Sequence, residues 1–313
     1  MISSNEKPIP ITTRPRRFSR RYWLRMFRLL MLPIVLLAIL LPLLAGVIPT
    51  YAILHGKCGD DGVRPDDFGH QWEAITINAS AGGKFRAYFV AGTNGATIII
   101  PPAHRGGLNN RLDEADVLIR HGYSVLGFES RRCADMGSLS LGYKEVSEVG
   151  DALHYLQSRP DVDPDKIGIL GFSSAGATSI MATARYPEIK AVVAEGGYAD
   201  MGGLVEGDAK LRYPETLMRI SIRLTYRAIT GINIEKLSPL DAIHNIYPRP
   251  ILLIYGTKEP SLSGAYDQQK AAGDNADLWV VVGADHGGYL PTEPEEYERR
   301  VIEFFNRALL QSE

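Results

Sequence analysis

Cysteine is scarce in this chain: of its 313 residues only Cys58 and Cys133 carry a thiol. A zinc cluster and a disulfide-stapled small fold both need more, so both are excluded. One pair allows at most one bridge, and bridge geometry is strict, so two unpaired thiols are the expectation, with a bridge between them left open. An excess of basic charge is also lacking over most of the length. Residues 1–28 hold Lys7 and seven arginines against Glu6, a net +7, which leaves −9 for the remainder of a chain whose formal total is −2. A body that acidic is a poor nucleic-acid binder, because phosphates are met by a basic face. Internal repeats and low-complexity runs are also lacking. With 45% apolar residues the chain can bury a full core, and one large domain plus an appendage is the expectation.

Charge is absent altogether from residues 29–54. At about 1.5 Å per residue this stretch reaches roughly 39 Å, more than the ~30 Å hydrocarbon core. It predicts one transmembrane helix. Pro33, Pro42, Gly46 and Pro49 would break a soluble helix and are tolerated in a membrane one, with an end ahead of Pro49 left open. Seven arginines precede the stretch and only Lys57 follows closely, so residues 1–28 are expected as a cytoplasmic tail and everything after His55 outside. A cleaved signal peptide has an apolar core of only ~7–15 residues and a small-residue cleavage site, and neither fits here. Lys57 directly before Cys58 spoils a lipoprotein signal. Tyr22 and Trp23 suit the inner interface, where amphipathic rings gather. Residues 55–71, polar and rich in Gly and Asp, read as a linker.

From residue 72 onward, strand and helix signals alternate. Residues 72–80 and 84–90 flank Ala81-Gly82-Gly83 as an antiparallel hairpin. Further strands are expected at 96–100, 123–128, 166–170, 189–194, 251–255 and 278–282, several of them continuous apolar runs of the kind buried on both faces. Helices are expected at 110–121, 143–157, after Ser173, and at 294–310. That alternation predicts a mostly parallel sheet covered on both sides, with residues 72–313 as one α/β domain. An insertion at about 196–248 holds one good helix, residues 214–230, with proline at its start and Gly231 at its end.

The chain turns on residues 166–184. Lys166-Ile-Gly-Ile-Leu-Gly171 is a short β-branched run, and Phe172-Ser173-Ser174-Ala175-Gly176 follows before a small-residue helical pattern. A serine at the apex of a strand-turn-helix has its hydroxyl clear of the sheet, beside the N–H groups that open the helix. The plainer reading is an N-cap, with Ser174 as the cap in either case. The pattern resembles the G-x-S-x-G nucleophile elbow of α/β-hydrolases, with Gly171 and Ser173 in register and Ala175 replacing the second glycine. It is most similar to the dienelactone-hydrolase and serine-aminopeptidase-like group, from residue 72 to the C-terminus.

That resemblance implies an α/β-hydrolase fold with a small helical cap, and the chain order Ser, acid, His. Tyr255-Gly256-Thr257-Lys258-Glu259-Pro260 resembles the acid turn, with Glu259 in place of aspartate. Gly283-Ala284-Asp285-His286 resembles the histidine loop, and Asp285 or Asp267 is an alternative orienting acid. Phe128-Glu129-Ser130-Arg131-Arg132 is similar to a degraded form of the group's D-x-R-G-x-G-x-S loop, and Asp151 is expected to hold a loop. Pro102-Ala103 stand where the group has a His-Gly pair. In that register the N–H groups of His104 and Ser174 would hold an oxyanion; if the pair is His104 with Gly106, the donor is Arg105. The implied activity is a membrane-anchored serine hydrolase acting on a small-molecule or lipid-like ester, with thioester or peptide as alternatives, and needing no metal or cofactor. A non-catalytic binding module at the membrane surface is the competing expectation, given Ala175 and the altered oxyanion turn. Residues 214–230 are read as a lid whose Arg219, Arg223 and Arg227 either face anionic head groups or form an ordinary solvated stripe.

Overall fold

In the computed structural model, which describes residues 19–206 and 212–311, the apolar run forms a single helix, α1 (Arg20–His55). Arg14, Arg16 and Arg17 of the basic tail lie outside the described residues. Pro33, Pro42 and Pro49 all sit within α1, so the helix does not stop ahead of Pro49. A helical proline strips the carbonyl four residues earlier of its donor. For Pro42 that carbonyl belongs to Ala38, and the Tyr213 hydroxyl donates to it at 2.6 Å.

The sheet that follows has eight strands in the order β1-β2-β4-β3-β5-β6-β7-β8. β1 (Glu73–Asn78) and β2 (Lys84–Val90) form the expected hairpin, and Asp151 holds its turn by accepting from the Ser80 amide and hydroxyl at 3.0 and 3.2 Å. β3 (Thr97–Ile100) leads through α2 (Leu112–Arg120) to β4 (Ser124–Phe128), then α3 (Glu145–Gln157) and β5 (Ile167–Phe172). α4 (Ser174–Arg185) and β6 (Ile189–Glu195) come next, followed by an insertion with α5 (Met201–Glu206), α6 (Glu215–Thr230) and α7 (Pro239–Ala242). β7 (Ile251–Gly256), α8 (Leu262–Ala272), β8 (Ala276–Val281), α9 (Tyr289–Thr292) and α10 (Pro294–Phe305) complete the order. β2 pairs antiparallel with β1 and β4, and every other pairing is parallel. Leu118 and Phe305 cover one face from α2 and α10, and Leu153, Ile180 and Ala265 cover the other from α3, α4 and α8. The result is an α/β-hydrolase sheet preceded by one helix long and apolar enough to cross a bilayer.

Two expectations are corrected. Cys58 and Cys133 are not unpaired thiols: they form a disulfide with a Cα–Cα distance of 4.8 Å. The segment after α1 folds back onto the loops after β3 and β4, and this brings the sulfurs together. Gly59 N–H donates to Arg105 O at 2.8 Å and Arg132 Nε to Gly56 O at 3.1 Å. The predicted linker is therefore docked on the domain. The second correction concerns the helix read as a lid. α6 lies along the C-terminal half of α1, so close that a Cβ at Gly46 would stand 2.0 Å from Ser221 Oγ and 2.5 Å from Met218 O. Met218, Ser221 and Ile222 face Gly46, while Ile220 and Leu224 of the helix's apolar strip stay exposed. Two of its arginines pair locally, Arg219 with Glu215 at 3.8 Å and Arg223 with Glu235 at 3.3 Å.

Candidate active site

Each candidate side chain leaves the carboxyl edge of the sheet, where open α/β sheets carry their sites. Ser173 stands between β5 and α4 with φ 57° and ψ −124°, a backbone conformation that costs a non-glycine residue on the order of 1–3 kcal/mol. The strand next door holds it there: Ser173 N–H donates to Glu195 O, at the end of β6, at 2.7 Å. Ser173 itself occupies the N-cap position of α4, without a side-chain bond, so Ser174 is not the cap. The Ser174 hydroxyl instead accepts from the His104 N–H at 2.8 Å. That contact puts His104, in the loop after β3, beside the elbow and favours the register in which Pro102-Ala103 replaces the His-Gly pair. The His104 ring donates from Nε2 to Ile53 O at 3.0 Å, so the last turn of α1 holds the loop. Burial lowers the His104 pKa and keeps the ring neutral in that role.

His286, after β8, brings Nε2 to 2.9 Å from Ser173 Oγ and Nδ1 to 3.0 Å from Glu259 Oε2. Glu259 follows β7 and its side chain is wholly buried. Burial pushes its carboxyl up, but hydrogen bonds from His286, Tyr289, the Gly256 N–H and Ser261 outweigh that and leave the pKa lowered. Gly256 N–H and the Tyr289 hydroxyl donate to Oε1 at 2.7 and 2.5 Å, and Ser261 Oγ donates to Oε2 at 3.1 Å. Asp285 is exposed and so is Asp267, and neither side chain is bonded to the histidine. The extra methylene of a glutamate is thus accommodated, and Glu259 rather than Asp285 meets His286.

Two partners of the site were not foreseen. Tyr289 is fully buried three residues after the histidine, and nothing in a sequence distinguishes a tyrosine that braces a carboxylate from one that fills a core. Gly196 adopts φ 56° beside the same three groups; a Cβ there would stand 2.3 Å from Tyr289 Oη and 3.0 Å from both Glu259 Oε2 and His286 Cε1. Only glycine fits.

A family model of the prolyl oligopeptidase family matches residues 126–312, more than half of the chain and all three of these residues. The chain belongs to the prolyl oligopeptidase family. It is a serine hydrolase. Thiohydrolase aneE of Aspergillus aculeatus is 29% identical over 83 residues, which span 25% of this chain and 26% of that protein. The structure resembles the Pyrococcus furiosus esterase Pf2001, with a TM-score of 0.63 at 22% identity over 82% of this chain and 98% of that one. It also resembles the Pyrococcus horikoshii acylaminoacyl peptidase, with a TM-score of 0.58 at 16% identity over 78% of this chain and 43% of that one. At these identities the likeness is one of fold.

In this prolyl oligopeptidase-family hydrolase, Ser173, Ser174, His104 and His286 line a cleft of about 460 Å³. Its other walls include Ile53, Leu141, Tyr198, Met201, Leu204 and Pro260, with α5 rather than α6 at the rim. A larger depression of about 800 Å³ between α2 and α10 is lined by charged residues such as Asp113, Glu298 and Arg299, and it reaches neither Ser173 nor His286.

Proposed function

We propose that the protein is a membrane-anchored carboxylic ester hydrolase working through Ser173, His286 and Glu259. The observation that carries this reading is the unbroken relay, 2.9 Å from Ser173 Oγ to His286 Nε2 and 3.0 Å from His286 Nδ1 to Glu259. Ser173 Oγ attacks the carbonyl carbon as its proton passes to Nε2, while Glu259 keeps the other proton on Nδ1 and so fixes the tautomer. The N–H groups of Ser174 and His104 receive the oxyanion, and the His104 N–H turns from the Ser174 hydroxyl as charge develops. His286 returns its proton to the leaving alkoxide, and water then releases the acyl group from Ser173 by the same route.

An ester is favoured over a peptide by the cleft wall. Among its described lining residues there is no Asp, Glu, Lys or Arg to fix a peptide terminus. The anchor is favoured over a removable leader by its docking. Leu139 N–H donates to Leu54 O at 3.0 Å, and Leu54 is buried among Leu139, Tyr198 and Leu237. Removing α1 would undo these bonds. Because α6, with Glu215 and Arg219, lies beside α1 from about Ala38 onward, the span expected at residues 29–54 moves toward the N-terminus, and we assign the hydrocarbon core to roughly residues 22–41, about 30 Å of helix. Arg25 and Arg28 then reach back toward the cytoplasmic head groups. The docked segment and residues 72–313 follow outside, with the disulfide in an oxidising space. Turnover of p-nitrophenyl acetate by the full-length protein tests the chemistry: Ser173→Ala and His286→Ala are each expected to fall to background. Undiminished hydrolysis by Ser173→Ala withdraws the proposal.

A further inference from the structure

The cleft over Ser173 has an unusual wall. Ile53 belongs to the last turn of α1, yet it faces the same space as the serine and is 44% exposed. Leu204, on α5, lines the same cleft and is 66% exposed. Leu141, Met201 and Pro260 extend this apolar wall, and Tyr198 and Ser261 add the polar side chains besides those of the serine and histidine sites. Apolar side chains left open around a nucleophile gain stability when an apolar ligand covers them.

We propose that this cleft is an acyl-chain site, shared between the anchor helix and α5, and that the substrate is an ester of a long unbranched acyl group. The inference rests on the reading of Ser173 as nucleophile and adds the substrate class. A carbonyl held by the His104 and Ser174 N–H groups leaves its acyl chain against Ile53 and Leu204, because His286 occupies the leaving-group side. Each methylene taken from water into such a wall is worth roughly fourfold in affinity. Ile53 is carried by the helix that enters the membrane under the same reading, roughly 18 Å of helix beyond residue 41. Ile53 also lends its carbonyl to the His104 ring. One turn of helix thereby serves the acyl chain with its side chain and the oxyanion loop with its backbone.

The test is the ratio of kcat/KM for p-nitrophenyl octanoate to that for p-nitrophenyl acetate, measured on the full-length protein in nanodiscs. The wild-type ratio is expected to exceed about tenfold. Ile53→Ser and Leu204→Asp should each lower it by roughly tenfold, mainly through KM, while Ile53→Val and Leu204→Met keep it. Both positions are exposed, so the fold tolerates these changes. A wild-type ratio near or below one, or a ratio that both polar variants leave unmoved, overturns the proposal. A protein that cleaves neither ester and takes no fluorophosphonate probe defeats the nucleophile reading itself, and the acyl site with it.

Discussion

At the scale of single residues, the site depends on a carboxylate kept ionised in a place that burial makes costly. Four donors hold Glu259: the Gly256 N–H, the Tyr289 and Ser261 hydroxyls, and the His286 ring. Together they keep its pKa below the ordinary 4.5 despite burial. A depressed folded pKa means that the unfolded chain binds the proton more readily. The stability this group contributes is therefore complete above its unfolded value, near 4.5, and is lost as pH falls through the lower folded value. Glu259→Gln should lessen the acid-side decline in a plot of thermal midpoint against pH, to which Asp60, Glu73, Asp161, Glu296 and Glu298 also contribute, and should cut kcat by several orders of magnitude through the loss of the histidine tautomer. A variant with near-normal turnover would move the orienting role elsewhere. Gly196 belongs to the same scale. Its missing Cβ is the space in which Tyr289, Glu259 and His286 meet, and neither length nor composition announces that.

At the scale of elements, the contact between α1 and α6 decides how the long apolar helix meets the domain. Gly46 lets the two helices touch, and the Tyr213 hydroxyl serves the carbonyl that Pro42 leaves without a donor. Gly46→Leu should force them apart and cost about 1–3 kcal/mol in unfolding experiments, as overpacking does. An unchanged unfolding midpoint would mean that α6 is not seated on α1. What the sequence made legible here follows from physics. Interior parallel strands are buried on both faces, so β3, β5, β6 and β7 stand out as apolar runs, and the elbow and histidine loop stand out at their ends. α8 did not stand out, because it buries only Ala265, Gln268 and Ala272 and so has no apolar stripe. The amphipathic pattern of α6 told that it packs without telling on what, and an apolar run such as α1 reads the same whether lipid or another helix covers it. The pairing of Cys58 with Cys133 depends on a fold-back of docked loops that leaves no local pattern.

At the scale of the whole molecule, α1 joins basic charge to the site. Arg20, Arg21, Arg25 and Arg28 lie toward its start, the docked turn of Ile53 and Leu54 is at its other end, and Ile53 shares the cleft of Ser173 and His286. The disulfide between Cys58 and Cys133 and the bond from Leu139 N–H to Leu54 O tie that turn to the domain, so the catalytic edge cannot drift from the helix that carries it. The binding-module alternative has little left to stand on, since Ala175 is accommodated in the buried elbow and the altered oxyanion turn still presents an N–H beside it. The most direct measurement of the central claim is to add a membrane-impermeant fluorophosphonate probe to intact cells that make the full-length protein, and to map the adduct by mass spectrometry. The account predicts a single adduct on Ser173 that forms without permeabilisation and vanishes in Ser173→Ala. An adduct on another residue, or labelling that survives Ser173→Ala, would contradict it.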